Sequence, residues 1–310
     1  MGKSSRLAFG EAIAEIGSLN KNIVVLDADL SKSTMSNIFA KKYPDRFFEM
    51  GIQEQNMIGV AAGLALSGKI PFICSFSIFL LGRFETIRMS VAYSNTNVKL
   101  IGTHCGIGIG EDGYSQMGLE DISLMRSFPN MSIMQPADEI ETKEIIKYAA
   151  ENFGPMFIRL TRQNLEDVHS SNYKFSFGKG DLLFDGNDAT VFCTGGVVGN
   201  TLAAAKELEK EGIKIRVINI HTIKPIDTDI IIKAAKETNY LFTIEDHSII
   251  GGLGSSVCEV LSENYPKKVK RLGIVNSYGE SGSPEALYEK HNLHKEGIIN
   301  SIKTELKKGV

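Results

Sequence analysis

Apolar residues along the chain fall into short unbroken runs, separated by stretches in which they return every three or four positions. Leu7, Ile13, Ile16 and Leu19 recur at helical spacing, and the run IVVLDAD at 23–29 then reads as a strand buried on both faces. The same pattern predicts helix over 33–42, strand near 47, helix over 55–67, strand over 70–74, helix over 79–93 and strand over 98–102. After a loop at 103–118 come a short helix, strand 131–134, helix 139–152 and strand 156–160. Strands and helices in strict turn predict a parallel sheet covered on both faces.

The pattern lapses after this point into polar and aromatic residues with several glycines. A domain over 1–165, a linker over 166–188 and a second domain over 189–310 follow from that break. The second unit alternates again: strands at 190–194, 215–219, 240–245 and 269–275, helices at 197–210, 228–237 and 253–264, and a last helix over 295–308. The expected fold class is therefore α/β, with two parallel-sheet domains. A length of 310 residues suits two such units, since one core seldom grows much beyond about 250 residues.

Charge and cysteine usage narrow the function classes. The formal net charge is −3, which leaves no electrostatic footprint for nucleic acid, and the lysines at 267–270 and 307–308 are short solvated clusters. Cys74, Cys105, Cys193 and Cys258 are scattered without a CxxC pair, and no signal peptide precedes the first helix, so a reduced, cytoplasmic setting is expected. The apolar stretch at 70–81 is broken by Pro71, Ser75 and Ser77 and is too short to span a bilayer. Because Met1 opens directly into a helix, the chain is expected to be complete.

Ligand sites in doubly wound sheets collect beyond the carboxyl ends of the strands. Asp27 and Asp29 end one predicted strand, Phe76 and Phe79 follow another, His104 opens a glycine-rich loop after a third, and Arg162 follows a fourth. Glu54, in GIQEQNM at 51–57, stands where an extended run turns at Gly51 into a helix whose small and apolar residues predict burial. Each has an ordinary explanation. A first-turn carboxylate favours the helix dipole, paired phenylalanines fill cores, and Asp before Gly is a frequent turn pair. Together they look like a site.

In order, DADLSKS, GIQEQNM, CSFSIF, THCGIGIGEDG, PNM, QPADE and LTRQNL resemble the C-terminal half of transketolases, and IEDHSIIGGLG and YGESGSPEAL resemble the C-terminal domain of that superfamily. The resemblance covers essentially the whole chain, as a pyrimidine-binding domain followed by a transketolase C-terminal domain. It implies dependence on thiamine diphosphate and transfer of a two-carbon ketol unit from a ketose to an aldose. Glu54 would hydrogen-bond the cofactor's aminopyrimidine as the catalytic acid. Phe79 would stack on that ring with Phe76 beside it, and Asp29 and Gln116 would also touch the cofactor. His104 would hold the substrate and move protons, Asp112 would recognise a sugar hydroxyl, and Ser33 and Arg162 would hold a sugar phosphate. Many transketolases have a histidine where Gln116 stands, and a third aromatic beyond Phe79 gives way to Gly82 and Arg83.

The chain lacks the GDG-type motif that binds Mg2+ and the diphosphate; GEDG at 110–113 and DGND at 185–188 do not supply one. Metal ligands are thus expected on a separate N-terminal, diphosphate-binding subunit, with two of each chain in a heterotetramer and the cofactor bridging them. Rival readings are the beta subunit of a 2-oxo-acid dehydrogenase, a 1-deoxyxylulose-5-phosphate synthase-like enzyme and a non-catalytic scaffold paralogue. Tyr114, where the dehydrogenase subunits usually have histidine, and the RQNL corner favour transketolase. In the second domain Glu245, Asp246 and His247, followed by Gly251, Gly252 and Gly254, also read as a local ligand site.

Overall fold

The computed structural model describes residues 2–308. The apolar runs become β1 (Ile23–Asp27), β2 (Phe47–Glu49), β3 (Ile70–Phe76), β4 (Lys99–Thr103), β5 (Ser132–Met134) and β6 (Met156–Arg159), which run parallel. Later in the chain come β7 (Asp181–Phe184), β8 (Ala189–Cys193), β9 (Ile215–Asn219), β10 (Thr222–Lys224), β11 (Tyr240–Ser248) and β12 (Val269–Ile274). The first sheet has seven strands in the order β10-β5-β6-β4-β3-β1-β2, and the second has five in the order β12-β11-β8-β9-β7.

Apolar side chains on both faces of the first sheet explain its helical covers. On one face Phe9 and Ile13 of helix Ser5–Leu19 and Ile145 of helix Glu139–Glu151 pack with Phe72 and Ile158. On the other, Met57, Ile58 and Ala61 of helix Glu54–Leu66 pack with Ile73 and Leu100. Register brings the carboxyl ends of the central strands level: Asp27 opposes Cys74, Phe76 opposes Thr103, and Gly102 opposes Arg159. The residues that follow those strands therefore meet in one crevice.

The two sheets are not joined by a plain linker. β7 lies within 166–188 and pairs antiparallel with β9, while β10 leaves the second domain and pairs antiparallel with β5 of the first sheet. The expected all-parallel sheets thus each carry one antiparallel edge strand. Strands of three or four residues fall below what hydrophobic periodicity resolves, and pairing across the junction decides them. A second difference lies in helix Glu54–Leu66. Its small, apolar residues predict burial, yet Gln55, Asn56, Gly59 and Gly63 are exposed and Leu66 is 76% exposed. Apolarity fixed one buried face; the other has no neighbour among the described residues at Gly59 and Gly63. The helix expected over 79–93 is also broken, into Ser77–Leu81, Phe84–Thr86 and a π-helical turn Ile87–Tyr93, with Gly82 at the first break.

Buried ion pairing closes the contact between the domains. Arg159, 1% exposed, donates through Nε to both Asp121 oxygens at 3.0 and 2.9 Å and through Nη2 to the carbonyls of Gly118 and Asp246 at 2.8 and 2.9 Å. Asp121 also accepts from the Ser77 hydroxyl. A guanidinium out of water is tolerated only when its donors are used in this way.

Candidate active site

Glu54 opens its helix and is buried, 4% exposed, with Oε1 accepting a 3.3 Å hydrogen bond from the Ser75 hydroxyl. Ser75 belongs to β3, so the strand carries the support for the acid and, one residue on, the first aromatic. Phe76 stacks on Phe79, with ring centroids 5.5 Å apart and planes 9° from parallel. It also stacks on the His104 imidazole at 3.8 Å. The geometry thus stacks three of the predicted residues, Phe76, Phe79 and His104, in a flat column, and bonds the buried Glu54 carboxyl to Ser75, the residue before Phe76 on the same strand.

His104 has a positive φ of 58°, a conformation uncommon outside glycine that marks a constrained position. Its hydrogen bonds define the tautomer. Arg6 Nη1 stands 3.1 Å from Nε2 and can only donate, so Nε2 accepts; Nδ1 then carries the proton and donates to Thr103 Oγ1 at 2.8 Å. Thr103 in turn donates to the Ser75 carbonyl at 3.3 Å. Burial, followed by the charges of Arg6 and Arg162, lowers the imidazole from 6.5 to about 3. His104 is therefore neutral at physiological pH.

Two guanidinium groups flank this imidazole. Arg6 also donates to the Ser33 carbonyl at 2.8 Å, and burial followed by the nearby charge of Arg162 lowers its own pKa. Arg162 donates to the Ile109 carbonyl at 2.8 Å and faces the exposed Glu111 at 3.6 Å. The Ser33 segment is fixed by buried Asp27, which accepts from Leu30 N, Thr34 Oγ1 and Ser36 Oγ at 2.7, 2.7 and 2.8 Å. Burial nonetheless pushes the Asp27 carboxyl up to about 6.

Other predicted residues stand apart. Asp29 is exposed at φ 62° with its N–H donating to Glu49 Oε1, Asp112 is exposed at the end of the short helical turn Ile107–Asp112, and Gln116 lies half-buried beside Ser115. Arg6, Thr103 and Ser75 join the cluster although no motif singled them out. The Glu245 to His247 reading is corrected outright. Glu245 caps helix Leu253–Asn264 by accepting from Leu253 N and Gly254 N at 2.7 and 2.8 Å. Asp246 accepts from Ile107 N at 2.8 Å and Tyr288 OH at 2.6 Å, and His247 Nδ1 meets the Ser248 carbonyl at 2.6 Å. All three are buried; the two carboxylates are committed to internal bonds, and His247 Nε2, without a hydrogen-bond partner, stands 3.6 Å from Asp121 Oδ1 inside the Arg159 contact, so the trio helps to build the junction of the domains.

The model for "Transketolase, pyrimidine binding domain" matches residues 2–168, and that for "Transketolase, C-terminal domain" matches residues 178–298. The chain belongs to the transketolase family. A Methanocaldococcus jannaschii protein with the provisional name transketolase C-terminal section is 46% identical over 99% of this chain and 97% of its own length. A 6-deoxy-6-sulfo-D-fructose transketolase subunit from Clostridium sp. is 38% identical, over 96% of this chain and 92% of its own. Among solved structures, a split-gene transketolase described as an inactive beta4 tetramer superposes with a TM-score of 0.90 at 45% identity, covering 99% of both chains. The family depends on thiamine diphosphate, and a buried Glu54 carboxyl and a flat Phe76–Phe79 stack are groups of the kind that suit the hydrogen-bonding edge and the face of an aminopyrimidine. Among the described residues no helix is long and apolar enough to cross a membrane.

Proposed function

We propose that this chain is the pyrimidine-binding subunit of a two-chain, thiamine-diphosphate-dependent transketolase that moves a two-carbon ketol unit from a phosphorylated ketose to an aldose. The observation that carries the reading is the buried Glu54 carboxyl, braced by Ser75 of the strand that also carries Phe76, which stacks on Phe79 and His104. When bound, the cofactor supplies the acidic carbon and electron sink that ketol transfer requires. Glu54 holds a proton at the ring nitrogen farthest from the reacting carbon, Phe79 and Phe76 hold the ring flat, and their apolar surface excludes water. An unshared carboxylate against a neutral ring would be costly in this setting, which favours a proton held between acid and ring.

His104 presents a neutral imidazole to a substrate hydroxyl once that hydroxyl competes with Arg6 for Nε2. Arg6 and Arg162, with the Ser33 segment, supply the positive charge suited to a sugar phosphate. Asp112 recognises a hydroxyl from its exposed loop, and Asp29 and Gln116 complete the cofactor's surroundings in the assembled enzyme. Mg2+ and the diphosphate sit on an N-terminal partner subunit, two of each chain making the heterotetramer, in the reducing cytoplasm that suits four unpaired cysteines. The inactive state in the split-gene neighbour's description supports the need for that partner.

The test combines the chain with a diphosphate-binding subunit and assays pentose phosphates with cofactor and Mg2+. Glu54→Gln should lower turnover by on the order of 10²–10⁴-fold while leaving assembly intact. Unchanged turnover in that variant, or full activity of the chain by itself, would overturn the reading; a scaffold paralogue would show no turnover in either form.

A further inference from the structure

Three carboxylates and two imidazoles converge where helix Glu139–Glu151, the connector and the β9–β10 turn meet, on residues that the proposed sugar chemistry does not use. His169 and His221 have side chains only 4% and 0% exposed, and Glu141 is fully buried. Neither imidazole Nε2 has a hydrogen-bond partner. Yet His169 Nε2 stands 3.9 Å from Glu141 Oε1 and 3.7 Å from Asp181 Oδ2, and His221 Nε2 stands 3.6 Å from that same Asp181 oxygen. Glu141, His169 and Asp181 each present a ligand atom within 4.8 Å of the others.

The outer bonds of the two rings are informative. His169 Nδ1 is 2.9 Å from Asp138 Oδ2, which also accepts from the backbone N–H groups of Val168 and His169, while Oδ1 accepts from Glu141 N–H. That carboxylate accepts, so Nδ1 donates and, in the neutral ring, Nε2 turns a lone pair toward two carboxylate oxygens. His221 Nδ1 is bonded to Thr222 Oγ1 at 2.8 Å, again leaving Nε2 aimed at Asp181. A ring fixed through one nitrogen, with the other bare and facing anions, is the arrangement by which proteins orient metal-ligating histidine.

Charge balance points the same way. Among the described residues no lysine or arginine pairs with Asp138, Glu141 or Asp181, and the Tyr173 hydroxyl touches Glu141 Oε1 at 2.9 Å and Asp181 Oδ2 at 2.7 Å with a single proton for both. We propose that this junction binds one divalent transition-metal ion of the zinc class, held by His169 Nε2, His221 Nε2, Glu141 Oε1 and Asp181 Oδ2, as a structural staple between the domains. Tetrahedral ligands about 2.1 Å from a metal stand about 3.4 Å from one another; each imidazole Nε2 lies 3.6–3.9 Å from the carboxylate oxygen it faces, and the set must draw together on binding, His221, which lies outside the trio of mutually close ligand atoms, moving farthest. Mixed nitrogen and oxygen donors suit zinc over calcium or magnesium, which prefer oxygen alone.

The full chain, stripped with a chelator, would be titrated with Zn2+ alone by calorimetry in buffers of different ionisation enthalpy, and reloaded with Co2+ for visible spectroscopy. The proposal expects one ion per chain, proton release on binding, and a tetrahedral cobalt band without thiolate charge transfer. His221→Gln and Asp181→Asn should each weaken binding by at least about 100-fold, and Asp138→Asn, which would act only through His169, by about 10–100-fold. No stoichiometric uptake by the stripped wild type would overturn the proposal. So would a cobalt spectrum with sulfur ligation, or affinity unchanged in His221→Gln. The wild-type measurements decide the matter even if every variant misfolds.

Discussion

Arg6 reaches His104 across 98 residues of sequence and holds the imidazole in one tautomer. Its position in the first helix looks like any solvated basic residue; its partner is supplied only by the packing of that helix against the sheet. His104 and Arg162 were legible because they fall at strand ends inside a motif, whereas Arg6 carries no local signal. Burial of His104, reinforced by the paired guanidiniums, also sets a pH dependence. The His104 ring is lowered from 6.5 to about 3, so between those values the unfolded chain binds a proton that the folded ring refuses. Stability should therefore fall as pH drops from 6.5 toward 3 and feel nothing from this group above that window. Urea unfolding of wild type and His104→Gln across that range should give a shallower acid decline in the variant, and parallel curves would remove His104 from the account.

Among the elements, the glycine-rich loop is expected to face substrate through Asp112, and its composition gives no hint of what it packs on. In the structure it is pinned beneath the second domain: Ile107 N bonds to Asp246, and Ile107 and Ile109 share a core with Val191, Phe242 and Leu287. Gly106, at φ 74°, lets the backbone pass so close that an added Cβ would lie 2.1 Å from Asp246 Oδ2. Strain in the left-handed region and overpacking against a buried carboxylate each cost about 1–3 kcal/mol, so Gly106→Ala should lower the unfolding free energy by about 2–5 kcal/mol. A urea midpoint unchanged in that variant would contradict the contact. The motif places the loop at a strand end, but its glycines answer to tertiary packing, just as β7 and β10 exist only because strands from elsewhere pair with them.

For the whole molecule, the decisive surface is the outward side of helix Glu54–Leu66, because the acid proposed for catalysis is its first residue. Two α/β domains, their order and most of their strands follow from periodicity alone; what the other side of this helix meets does not, since apolarity reports burial without naming the neighbour. Added Cβ atoms at Gly59 and Gly63 would find nothing within 4 Å in this chain, and Ile52 and Leu66 are each 76% exposed. Glycines four apart on a helix let another backbone approach closely, at a cost of roughly 0.5–1 kcal/mol each relative to alanine for a helix that stands alone. Gly63→Leu therefore separates two accounts. If the face is merely solvated, the substitution strengthens the helix, and the assembled enzyme works as before. If the face seats another subunit, as the two-chain reading requires, the isolated chain at low concentration should melt no lower than wild type. Its assembly by sedimentation and its turnover with the partner subunit should then fall together by at least tenfold. Retained assembly and turnover would mean that the partner approaches Glu54 from some other direction.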